Sequence, residues 1–118
     1  MTDRRFCFAL DLVDDAALIA AYEDWHAPGG VPPEVLADIR AQGVAEMEIW
    51  RAGDRLLMVV TAGEDFPRDR PPEPLVAEWE ASMSRFQKPL PVALPGQKWA
   101  PMTRIFALGE HDPHPGRT

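Results

Sequence analysis

Tyr22 and His26 stand four residues apart. On a helix that spacing puts both side chains on one face. Histidine is the side chain that exchanges a proton near neutral pH, and tyrosine adds a phenolic donor. Together they can do general acid–base work on a small molecule. The same residues also fit a second reading, a histidine favoured at a helix C-terminus by the macrodipole, with a core tyrosine one turn before it. The other histidines, His111 and His114, form His-Asp-Pro-His near the C-terminus. They supply two ligands where a metal site needs three or four, so they read as part of a solvated tail. Trp25, Trp50, Trp79 and Trp99 can each be core, and Trp79 fits a helical apolar stripe. An indole also offers a flat apolar face to a pyranose ring, with its N–H as a donor. Glu48, between Met47 and Ile49, either accepts from a sugar hydroxyl or faces solvent.

Other chemistries lack support. The chain has no glycine-rich phosphate loop, no Gly-x-Ser-x-Gly and no His-Glu-x-x-His, which removes the usual signals for nucleotide chemistry and serine hydrolysis. Lys plus Arg is 12 against 19 Asp plus Glu, a net charge of −7. That charge repels nucleic-acid phosphates and anionic lipid. The single cysteine, Cys7, excludes an internal disulfide and reads as a buried, inert thiol. No run approaches the ~20 apolar residues of a membrane helix. Met1 to Arg5 leads straight into a strand-like run without a secretory h-region. A cytoplasmic protein is the expectation.

The elements that must position these residues follow from periodicity. Phe6, Phe8, Leu10 and Leu12 alternate with smaller or polar residues, which predicts a strand over 5–12. Asp14 and Asp15 can cap a helix that carries Leu18, Ile19 and Tyr22 and ends near His26, before Ala27-Pro28-Gly29-Gly30. Pro32-Pro33-Glu34 opens a second helix with Val35, Leu36 and Ile39 on one face, and Gly43 ends it. Strands are predicted over 44–51 and 56–60, joined by Ala52-Gly53-Asp54. In the first, Met47 and Ile49 share one side and Glu46, Glu48 and Trp50 the other. A loop over 63–74 precedes a third helix from Pro74 to about Gln87, striped by Leu75, Val76, Trp79, Met83 and Phe86. Pro89, Pro91, Pro95 and Pro101 mark an extended stretch. A last strand is predicted over Met102 to Leu108, then a disordered tail over 109–118. The 118 residues, with 46% hydrophobic, suit one domain over 1–108. The 13 prolines fall outside element interiors and outline them.

With the two early helices acting as one interrupted crossover, the order is β-α-β-β-α-β, a ferredoxin-like α+β arrangement. Helices then cover one sheet face only. The strand 56–60 is apolar on both faces, and a homodimer packed sheet against sheet is the simplest cover for the second face.

These residues resemble the L-rhamnose mutarotase family. The resemblance rests on Tyr22-x-x-x-His26, Pro33-Glu34, Gly43 followed by Met47-Glu48-Ile49-Trp50, and the Trp79 helix. Phe86-Gln87-Lys88-Pro89-Leu90-Pro91, Pro95-Gly96-Gln97-Lys98-Trp99 and Arg104-Ile105-Phe106 look like one branch, associated with L-fucose. The resemblance implies a homodimeric α/β barrel of ferredoxin-like subunits. It also implies interconversion of the α and β anomers of a 6-deoxy-L-sugar, with neither metal nor organic cofactor. It assigns the acid–base role to His26, with Tyr22 beside it, and sugar contact to Trp79. Rhamnose-type members carry tyrosine where this chain has Met47, and a Trp-Trp pair where it has Trp79-Glu80; the loop over 27–32 is longer here. The substrate-binding candidates are thus Trp79, Met47, Glu48, Trp50 and Glu80. Two other classes compete: a non-catalytic dimeric small-molecule-binding module, and a dimeric α/β barrel oxygenase or haem binder using His26 as ligand.

Overall fold

The computed structural model describes residues 4–68 and 73–111. Alternating apolar residues build β1 (Arg4–Leu12), which sends Phe6, Phe8, Leu10 and Leu12 to one side. Asp15 caps α1 (Ala16–Trp25), its Oδ1 accepting from the Leu18 amide at 3.0 Å. Pro33 opens α2 (Pro33–Ala41), where a missing N–H costs nothing. Past it, Gly43 has φ +102°, a left-handed turn that favours glycine. The chain then runs up β2 (Val44–Ala52), turns, and returns as β3 (Arg55–Ala62). Pro74 opens α3 (Pro74–Ser84). Two short pieces, β4 (Gln87–Lys88) and β5 (Ala100–Pro101), close the sheet, and Leu108–His111 forms a 3₁₀ turn.

The sheet order is β2-β3-β1-β4, with β5 also on β1 and every pairing antiparallel. This is the ferredoxin-like order. Phe8 faces Met58 and Leu10 faces Leu56 across β1 and β3, so these side chains share the face that the helices cover. Leu12, Tyr22, Leu56, Met83 and Phe86 form one buried cluster, and Val44, Val60 and Ala62 a second. The opposite face carries Cys7, Leu57, Val59 and Trp50. Cys7 is half-buried there, not buried as the sequence suggested.

Two element boundaries differ from expectation. The third helix stops at Ser84 instead of reaching Gln87. Phe86 turns into the core at 1% exposure, and its carbonyl accepts from the Val13 amide at 2.8 Å. That bond draws the chain onto β1, where Gln87 faces Leu12 and Lys88 faces Asp11. The last strand is also not at Met102 to Leu108. Only Ala100 and Pro101 pair, with Ala9 and Phe8, and the Met102 amide adds one bond to the Cys7 carbonyl at 2.8 Å. Beyond it the chain leaves the edge, with Ile105 94% exposed. The reason lies in the register. Lys88 faces Asp11 and Ala100 faces Ala9, so the proline stretch between them is an excursion that interrupts one edge strand. Proline cannot donate to a ladder, and past the Met102 amide no residue of this segment pairs with β1. Of the expected tail, 109–111 belong to the 3₁₀ turn, and 112–118, with His114, lie outside the described residues.

Candidate active site

Helices on one side of a sheet leave space where they stand off it. A cavity of about 780 Å³ opens there, within the size range of small-molecule sites. The inner sheet face supplies a largely apolar floor, including Phe8, Met58 and Met47, while α1 and α3 supply Tyr22, His26, Trp79 and Glu80.

His26 caps the C-terminus of α1. Its Nδ1 lies 2.7 Å from the carbonyl oxygen of Tyr22. A carbonyl only accepts, so Nδ1 carries the proton and the neutral ring keeps its lone pair on Nε2. Nε2 has no hydrogen bond among the described residues. The ring packs against two aromatics, 4.2 Å from the Tyr22 ring and 5.5 Å from that of Trp79, centroid to centroid. The i, i+4 spacing is thus used, though it is the backbone carbonyl and ring of Tyr22, not its hydroxyl, that orient the histidine.

Tyr22 is 4% exposed. Gln87 Nε2 donates to its hydroxyl at 3.4 Å. Burial pushes the phenol above its usual range, against the lowering hydrogen bond from Gln87, and the nearby Glu80 charge adds to the rise. Tyr22 therefore stays a neutral phenol whose own hydrogen can be donated. Gln87 Oε1 is buried with no partner among the described residues. The loop after α1 packs closely: a Cβ on Gly30 would stand 2.6 Å from the Trp25 carbonyl. Val31 from this loop lines the cavity.

The structure brings His26, Tyr22, Trp79, Met47 and Glu80 to one cavity. Trp79 both packs against the core cluster and lines the cavity, so its two readings are compatible. Glu80 is engaged by Lys98, whose Nζ bonds its carboxylate at 3.1 Å. Glu48 and Trp50 are not brought there. Strand alternation turns them to the outer face, where Trp50 Nε1 donates to Glu48 Oε1 at 3.0 Å and Trp50 is 63% exposed. His111 is not among the lining residues and stacks on Phe106 at 5.0 Å.

Several lining residues were missed, with Glu23, Asp38, Gln42, Arg51 and Gln87 among the polar ones. Glu23 and Arg51 form an ion pair at 2.9 Å. Arg51 has the same strand parity as Met47 and Ile49, so period-2 reasoning would have found it. Gln87 had no such signal, and Trp99 was one of four indoles weighed as core or sugar face; the excursion between them hides that both flank one strand. No cluster of three or more His, Cys, Asp and Glu suited to a metal occurs among the described residues. No helix among them is long and apolar enough to cross a membrane.

Comparison with known proteins agrees with this architecture. A family model described as L-rhamnose mutarotase matches residues 5–108. An L-fucose mutarotase of Xanthomonas campestris pv. campestris is 53% identical over 116 residues, covering 93% of this chain and 92% of that protein. A UPF0734 protein of Dictyostelium discoideum is 30% identical over 114 residues, covering 89% and 90%. The crystal structure of an L-rhamnose mutarotase from Formosa agariphila has the same fold, with TM-score 0.65 and 19% identity, covering 89% of this chain and 98% of that one. The chain belongs to the L-rhamnose mutarotase family, carbohydrate isomerases of the epimerase type.

Proposed function

We propose that this chain interconverts the α and β anomers of a 6-deoxy-L-hexose, L-fucose first and L-rhamnose second, with His26 as the proton carrier. The observation that carries the sugar assignment is the 53% identity to an L-fucose mutarotase along nearly the whole chain. Supporting the role of His26 is its fixed Nδ1–H, which leaves Nε2 as a base at the cavity.

The chemistry needs one proton moved from O1 to the ring oxygen O5. Nε2 takes the O1 hydrogen. The O1 electron pair then forms the C1=O1 bond, and the C1–O5 bond breaks with its pair going to O5. The imidazolium returns the proton to O5, which gives the open-chain aldehyde. A half turn about C1–C2 and the reverse steps yield the other anomer. One group serving both directions favours a side chain that titrates near neutrality. Trp79 gives the sugar an apolar face, and the Tyr22 phenol donates to a sugar oxygen. Met47 and Glu80 complete the wall.

Saturation-transfer NMR on L-fucose and L-rhamnose tests the proposal. Wild-type protein is expected to accelerate anomer exchange, and His26→Ala to lose roughly 10²–10⁴-fold in kcat. Equal rates for the two proteins sink the assignment.

The working unit we propose is a cytoplasmic homodimer. What supports the dimer is the outer sheet face, where Leu57 and Val59 are half-buried and Trp50 is exposed with no helix of the described residues over it. Light scattering should return twice the 13.2 kDa chain mass; a monomer at micromolar concentration refutes it.

A further inference from the structure

The strands contribute one charged side chain to the cavity, Arg51, on a wall otherwise formed by residues such as Met47, Ile49, Met58 and Val60. Its guanidinium is held at two corners. Nε donates to Glu23 Oε2 at 2.9 Å and Nη1 to the Gly53 carbonyl at 2.7 Å. Nη2 and Glu23 Oε1 have no hydrogen bond among the described residues. Glu23 also lines the cavity and lies three residues before His26 on α1. A fixed donor and a fixed acceptor therefore sit side by side about one helical turn from the proton carrier. Adjacent ring hydroxyls each donate and accept, so a vicinal diol complements such a pair. The pair is a weak stabiliser, since both side chains are well exposed at 36% and 54% and surface pairs contribute little. Its anchored geometry is instead the kind that lowers the ordering cost of binding.

We infer that Glu23 and Arg51 read two adjacent ring hydroxyls of the sugar and determine which 6-deoxyhexose the cavity accepts. The inference rests on the mutarotase reading of the same cavity. It makes the pair a binding element and leaves proton transfer with His26. Binding that is equal in ground and transition states shows in KM, not kcat.

The experiment measures anomer exchange of L-fucose, L-rhamnose and the 2-, 3- and 4-deoxy forms of L-fucose by saturation-transfer NMR. It compares wild type, Arg51→Met, Glu23→Gln and Arg51→Lys, each checked for folding by circular dichroism. Arg51→Met and Glu23→Gln should raise KM for L-fucose roughly tenfold or more, the scale of one charge-assisted hydrogen bond, with kcat within about threefold. Arg51→Lys should not rescue, because an ammonium cannot keep the fork. Removing the hydroxyl that is read should cost wild type about the same factor and cost Arg51→Met nothing further. An unchanged KM in the near-isosteric Glu23→Gln and in Arg51→Lys overturns the inference, as do deoxygenation losses that multiply with the mutation at every position. If wild type accelerates no sugar, the mutarotase reading itself fails. Calorimetric binding of L-fucose then decides: weakening of about tenfold in Arg51→Met supports the pair, and equal or absent binding overturns it.

Discussion

At the scale of single residues, the tautomer of His26 is the decisive feature. A backbone carbonyl one turn earlier in the same helix sets it, so the ring is oriented by the helix that carries it. Tyr22 then has two separable contributions. Its carbonyl and ring hold His26, and its hydroxyl meets Gln87. Tyr22→Phe keeps the first and loses the second, so its exchange rate should fall by less than about tenfold, the scale of one neutral hydrogen bond. Tyr22→Ala removes the ring that braces His26 and should fall much further, with kcat for L-fucose as the measure. Because burial raises the Tyr22 pKa above its ordinary value, the phenol holds its proton to a higher pH than a free tyrosine does. The difference between wild type and Tyr22→Phe, read as kcat for L-fucose, should therefore persist as pH rises into the range where a free tyrosine ionises.

At the scale of elements, α1 is the part on which the site depends most, since it carries Tyr22, Glu23 and, at its C-cap, His26. The sequence predicted this helix from the capping aspartates and the Leu18, Ile19, Tyr22 spacing, and Asp15 does cap it. Asp15→Ala should cost about 1 kcal/mol, read as a lower denaturant midpoint at unchanged slope. The interrupted edge strand is the other functional element. The proline excursion leaves β1 at Lys88 and returns at Ala100, bringing Lys98 to Glu80 and Trp99 to the cavity. The residues of this stretch were visible in the sequence, yet its path was not. Prolines announce where ladder bonds are absent, but they do not say that the chain will rejoin the strand it left.

At the scale of the whole molecule, a one-sided α/β sandwich has to hold a cavity open while keeping its sheet in register. Asp11 and Arg55 face each other across β1 and β3 and are joined by two hydrogen bonds of 2.7 and 3.2 Å. The hydrogen bond from Arg55, reinforced by its charge and opposed by burial, lowers the Asp11 pKa below 3.8. A lowered folded-state pKa means stability that is complete above the unfolded value and lost as pH falls through the folded one. Asp11→Asn should thus lower Tm slightly at pH 7, and the gap from wild type should close as pH drops below 3.8. Thermal melts across that range check it; a gap constant down to pH 2 contradicts the linkage.

Much of this protein was determined by its sequence alone. Local rules acting over a few residues placed β1, α1, α2, β2, β3 and the start of α3, because alternation, capping and proline at a first turn are short-range physics. The same rules put Tyr22 and His26 on one helix face, and the resemblance carried by their order and spacing named the family. What only the tertiary structure decided were matters of register and of which side faces what. Glu48 and Trp50 turn outward because β2 presents Met47, Ile49 and Arg51 to the cavity. Phe86 ends α3 early because the core takes its side chain. Gln87 and Trp99 meet the site because two distant short segments pair with one strand. Alternation separates the two faces of β2, but which face meets the cavity, and which distant segments join β1, depend on contacts between residues far apart in the chain.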